Sequence, residues 1–200
     1  MSWSVLDARG RRKYLTASER LAFINAAAQL SPSSASTFCL TIALTGVRIS
    51  EALGLTRDRI DVETCTVIIE TLKRRRRGVF RSIPVPRELI AMLCQAGGTI
   101  DARIWPVSRT TGWKWIKRAM SDARIDPNIS KPRALRHAFA VEAVRQRVAL
   151  SLVKKWLGHA RIETTAIYAD PVGDEERALA SLTWQAWRTG TGPAIESDAP

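Results

Sequence analysis

The sequence predicts a mainly α-helical domain carrying one small antiparallel β-hairpin, an α+β fold. Three observations lead there. Most of the chain reads as segments whose apolar residues fall at helical spacing. From Ile60 the period changes, into short runs rich in Val and Ile. A hydrophobic content of 46% over 200 residues supplies one real core.

Residues 1–13 are polar and basic and read as an arm ahead of a domain spanning 14–188, with a flexible Gly- and Pro-containing tail over 189–200. Thr16 is an expected helix N-cap, with Glu19 three residues on in the capping-box position, ahead of ERLAFINAAAQL. Leu21, Ile24 and Ala28 mark its expected inner face. SPSSAS (31–36) reads as a loop, and TFCLTIALTGV after it as a buried helix ended by Gly46. RISEALGL begins a further helix that closes near Gly54. The hairpin strands are TVIIE (66–70) and VFRSIPV (79–85), with Pro84 and Pro86 ending the second. Helices resume at RELIAMLCQAG, RTTGWKWIKRAM and ALRHAFAVEAVRQRV. SLVKKWLG follows, with Ser151 as N-cap and Gly158 as stop, then IETTAIYAD and EERALASLTWQAWR.

Lys and Arg outnumber Asp and Glu by 31 to 19, a formal charge of +12, so the expected partner is a polyanion. Cys39, Cys65 and Cys94 are widely spaced, with no C-x-x-C pair, and suggest neither zinc nor a disulfide framework. No metal and no cofactor is expected. Without a signal-peptide core or a membrane-length apolar stretch, the expected location is cytoplasmic.

Four blocks carry more than composition: TGVRISEALGL, LKRRRRGVFRSIPVP, ALRHAFA and WLGHARIETTAIYAD. In this order and at these separations they resemble the catalytic domain of tyrosine recombinases, the phage-integrase type. The resemblance runs from about Lys13 to about Trp187. It implies that fold, and cleavage and rejoining of duplex DNA through a 3′-phosphotyrosyl link.

The chemistry agrees with the resemblance. Attack on a phosphodiester puts negative charge on non-bridging oxygens, which fixed cationic forks stabilise best. The resemblance assigns Arg48 and Arg136 to the phosphate, Tyr168 as nucleophile and His159 as a donor to a phosphate oxygen. It also implies a lysine general acid on the hairpin, for which Lys73 is the candidate. Arg74, Arg75, Arg76 and Arg77 beside it are expected to contact DNA. Glu51, three residues after Arg48, lies on the same helical face and can orient it. His137, one position past Arg136 and about 100° round the helix, reads as a supporting or core-facing histidine. Trp105, Trp113, Trp115 and Trp156 read as core.

One departure stands out. The family usually has H-x-x-R, and here the first position is Arg133, an always-charged group unable to accept the tyrosine proton. Such help is typically worth about 10²–10⁴-fold, so rate is affected more than mechanism, with Arg133 as a further phosphate contact. Relatives typically carry an N-terminal helical domain that clamps DNA, whereas about a dozen residues precede this domain. Both a complete short member and a truncated one fit that. The expected partners are duplex DNA with recognition half-sites and other copies of the chain, four in a synapse, the segment after Tyr168 docking on a neighbour. Three functions follow: an active site-specific recombinase, a catalytically weak or inactive DNA-binding regulator with the same fold, and a type IB topoisomerase-like relaxer.

Overall fold

A computed structural model describes residues 4–72, 78–95, 99–168 and 181. Its helices are α1 (Ala17–Ala28), α2 (Ser33–Thr45), α3 (Ile49–Ala52), α4 (Arg87–Gln95), α5 (Arg109–Asp122), α6 (Pro132–Arg145), α7 (Leu150–Leu157) and α8 (Glu163–Ala166). The strands β1 (Ile60–Asp61), β2 (Thr66–Glu70) and β3 (Phe80–Pro84) form one antiparallel sheet in the order β1-β2-β3. The fold is mainly α with a small sheet, as the sequence predicts, and β1 adds a short third strand to the expected hairpin.

The almost wholly apolar α2 is the central post. Its residues from Ala35 to Ala43 are buried, and α1, α4, α5 and α6 pack around it. Burial of a polar group requires a partner, and the α2 threonines find theirs nearby. Thr41 Oγ1 donates to the Thr37 carbonyl (2.8 Å), and the indole of buried Trp105 donates to Thr37 Oγ1 (3.0 Å). Register in the sheet pairs Val67 with Ile83 and Ile69 with Arg81. Val67, Ile69, Arg81 and Ile83 therefore share the inner face, in keeping with a side-chain period of two.

The capping box at Thr16 and Glu19 is present, and Arg12 pairs with Glu19. Four local expectations are corrected. The inner side of α1 is set by Phe23 and Ala27, while Leu21 is 59% exposed. The stretch 31–36 is a loop only to Pro32, because α2 starts at Ser33, where its first amides need no intrahelical acceptor. Helix α7 starts at Leu150 with Ala149 at the cap, so Ser151 lies within its first turn. Trp113 is 43% exposed on α5, whereas Trp105 is buried and Trp115 and Trp156 pack against the core. The three cysteines are free, and burial pushes the Cys39 thiol up to about 12. The expected helix over EERALASLTWQAWR lies, apart from Ser181, outside the described residues, as does the tail.

Candidate active site

Two helix ends frame the site. Both α2 and α7 stop at a glycine in the left-handed region, Gly46 (φ 64°) and Gly158 (φ 66°), which glycine enters without Cβ penalty. A Cβ at Gly46 would lie 2.6 Å from the Phe139 ring, and one at Gly158 would lie 3.0 Å from the Arg81 guanidinium. The last carbonyls of a helix lack intrahelical donors and carry the negative end of its dipole. Arg136, from α6, reaches both ends: Nη1 donates to the Gly46 carbonyl (2.8 Å) and Nη2 to the Leu157 carbonyl (2.6 Å). Burial, followed by the nearby Arg48 charge, lowers its pKa, while the two carbonyls fix the plane of the fork.

Glu51 holds two further cations. Its fully buried carboxylate accepts from Arg48 Nη1 (2.7 Å) and the Arg48 amide (3.0 Å), and from Arg81 Nη2 (2.7 Å). Burial pushes this carboxyl up, but the Arg81 charge, the Arg48 amide and the Arg48 charge outweigh it, and the pKa falls below the usual value. Arg81 also donates to Thr71 Oγ1 (2.8 Å) and to the Trp156 carbonyl (2.7 Å), tying the sheet to α7.

Tyr168 follows the single turn of α8 and is 2% exposed. Its hydroxyl lies 2.8 Å from His137 Nδ1, and its ring stacks at 6.3 Å on His159. Burial raises its pKa, although Arg136, Arg133 and Arg48 pull it down, so the phenol is protonated at neutral pH. His159 Nδ1 pairs with Thr165 Oγ1 (3.0 Å). Burial, with Arg136 and Arg48 adding to it, pushes the His159 imidazole down to about 3. His137 is pushed down to about 4, by burial first and then by Arg133 and Arg136.

Arg48, Arg133, Arg136, His137, His159 and Tyr168 line one cleft of about 660 Å³, with Glu51 behind it. The fold thus brings together seven side chains proposed from sequence. Lys73 and Arg74 to Arg77 lie outside the described residues, though the hairpin stem reaches the cleft at Thr71. His137, expected to support the site or face the core, is buried yet bonds the Tyr168 hydroxyl. Arg133, expected on a phosphate, has its Nε on His137 Nε2 (3.1 Å). Sequence reasoning missed Arg81 and Thr165. The signal for Arg81 was a charged residue two before Ile83, on the inward register of FRSIP. Among the described residues no group of three His, Cys, Asp or Glu could hold a metal, and no helix is long and apolar enough to cross a membrane.

Residues 13–173 match the model of the phage integrase family. The chain belongs to that family. A tyrosine recombinase XerD of Mycobacterium tuberculosis is 33% identical over 140 residues, covering 62% of this chain and 43% of that protein. A tyrosine recombinase of Thermosipho africanus is 29% identical over 139 residues, covering 66% and 47%. This phage integrase family chain thus spans less than half the length of such curated relatives. Among solved structures, XerA recombinase superposes with a TM-score of 0.71 at 22% identity, covering 85% of this chain and 62% of that one. The catalytic domain of bacteriophage HP1 integrase gives 0.62 at 19% identity, covering 90% and 98%. XerH site-specific recombinase, in a pre-cleavage complex with its difH substrate, gives 0.70 at 18% identity, covering 90% and 59%. These likenesses place the fold as that of a tyrosine recombinase catalytic domain.

Proposed function

We propose that this chain is a site-specific DNA recombinase that cuts and rejoins duplex DNA through Tyr168. The observation that carries the reading is one buried phenol opening onto the same cleft as two tethered guanidiniums and an imidazole. That grouping suits a phosphodiester: Arg48 and Arg136 take the non-bridging oxygens, and charge gathered there in the transition state meets donors already in place. His159 adds a donor at Nε2 when Thr165 Oγ1 donates to its Nδ1. Both tethered arginines are held from behind, Arg48 by Glu51 and Arg136 by backbone, so little ordering is left to complete on binding.

In the proposed cleavage the Tyr168 oxygen bonds to phosphorus and the phosphorus–5′-oxygen bond breaks. The phenolic proton passes to water in the cleft, and the leaving 5′-oxygen takes a proton from Lys73. The 3′-phosphotyrosyl link keeps the phosphodiester's bond energy, so attack by a new 5′-hydroxyl rejoins DNA without a further energy source. Support for DNA as substrate comes from the +12 charge, and XerH site-specific recombinase, which shares the fold, is bound to its difH substrate in its structure. Arg74 to Arg77 would contact the duplex beside Lys73. Two sites would assemble four copies, in the cytoplasm, with the segment after Tyr168 docking on a neighbouring copy.

The test is a library of nicked duplexes with randomised half-sites, in which cleavage traps a denaturation-resistant protein–DNA adduct. The expected result is an adduct with the wild-type chain and none with Tyr168→Phe. A second reading, a DNA-binding regulator with the same fold, is favoured by Arg133 standing where the family usually has histidine. Sequence-specific gel shifts without an adduct would select it.

A further inference from the structure

His137 is a buried titratable group for which the proposed cleavage has no role, and its two nitrogens are both engaged. Nε2 lies 3.1 Å from Arg133 Nε, and Nδ1 lies 2.8 Å from the Tyr168 hydroxyl. An arginine Nε carries a hydrogen and has no lone pair to offer, so it can only donate. His137 Nε2 must therefore accept. The ring's single proton then sits on Nδ1 and points at the tyrosine oxygen. Burial, with the charges of Arg133, Arg136 and Lys13 around it, pushes this imidazole down to about 4 and keeps it neutral at pH 7.

We propose that Arg133 is a positioning residue: by occupying His137 Nε2 it fixes the ring proton on Nδ1, making His137 a fixed hydrogen-bond donor to the Tyr168 oxygen rather than its base. The inference rests on the reading of Tyr168 as nucleophile. The donor strengthens its bond whenever that oxygen gains negative charge. This happens when the phenol loses its proton to water before attack, and again when the phenolate leaves phosphorus during rejoining and takes a proton back from water. Arg133 thus compensates through its neighbour for the general base that its own side chain cannot supply. Geometry favours this role over an additional phosphate contact at Nε. That atom is four residues, one helical turn, from the ring it addresses, on the same face of α6.

The chain has two histidines, so the tautomer can be read directly by nitrogen NMR of the histidine-labelled full chain without DNA. The expected spectrum at pH 7 gives His137 a protonated Nδ1 and an unprotonated Nε2. In Arg133→Met the proton should redistribute to Nε2. In Arg133→Lys, which can still donate, the wild-type tautomer should largely persist. Arg133 is exposed, so neither change disturbs the core. A wild-type ring protonated on Nε2, or an unchanged tautomer in Arg133→Met, would overturn the proposal.

Adduct formation on the nicked duplexes supplies the second arm. His137→Asn keeps an N–H near Nδ1 but no basic nitrogen, and should slow the adduct by about tenfold. His137→Leu removes the donor and should slow it by about 10²–10³-fold, the usual loss for one such donor. Equal losses in the two, each folded by circular dichroism, would also overturn it. A wild-type chain that forms no adduct at all defeats the recombinase reading instead, and leaves the tautomer measurement to decide the arginine–histidine pair.

Discussion

Glu51→Gln tests the electrostatic frame most sharply. The carboxylate is fully buried and is bonded at 2.7 Å by each of two guanidiniums, of which Arg81 has a side chain only 4% exposed. The substitution preserves shape, removes the negative charge and turns one oxygen into an N–H facing an N–H donor. Arg48, Arg81 and Arg136 are then left repelling one another with no negative charge between them. Removing one partner of a buried pair costs about 3–5 kcal/mol, or about 6–20 °C in Tm for a domain of this size. Because the folded-state pKa of Glu51 is depressed, its stabilisation is complete above the ordinary carboxylate value of 4.5 and is lost as pH falls through the folded value. The assay is urea denaturation of both proteins from pH 7 down to pH 3. The gap between them should be widest at neutral pH and close in acid. A gap under about 1 kcal/mol at pH 7, or one that stays constant with pH, would refute the reasoning.

Two further outcomes are expected. Gly158→Ala places a Cβ 3.0 Å from the Arg81 guanidinium at a φ of 66°; the left-handed conformation alone costs about 1–2 kcal/mol, measurable by denaturation, and the shift of Arg81 should slow adduct formation as well. For DNA affinity, Arg48, Arg109, Lys131 and Arg136 line the cleft, and four phosphate contacts from these alone contribute about −3.6 to the slope of log affinity on log salt. A nearly flat response in a salt titration would contradict a DNA-facing cleft.

The helices, the hairpin and the clustering of Arg48, Arg136, His159 and Tyr168 were legible because they rest on ordered blocks and local periodicity. What escaped depends on distant partners. Leu21 and Phe23 are equally apolar, and only the placement of α2 and α5 against α1 decides which one is buried. Serines at 33 and 34 look like loop, yet the first turn of a helix tolerates them, and α2 packing fixes the start. Arg81 is hidden because its partners, Glu51, Thr71 and the Trp156 carbonyl, lie 30, 10 and 75 residues away in sequence. His137 looked supportive by its angle from Arg136, but the angle alone could not show Tyr168 arriving from 31 residues further on.

Arg136 is bonded to backbone oxygens at residues 46 and 157, so this one fork depends on two helix ends, far apart in sequence, both being in place. Local fraying of either would misalign the cation before it exposed much core. The proposed cleavage should therefore be lost under conditions milder than those that melt the domain. Anyone transplanting this centre into another scaffold must carry both helix ends along with the arginine.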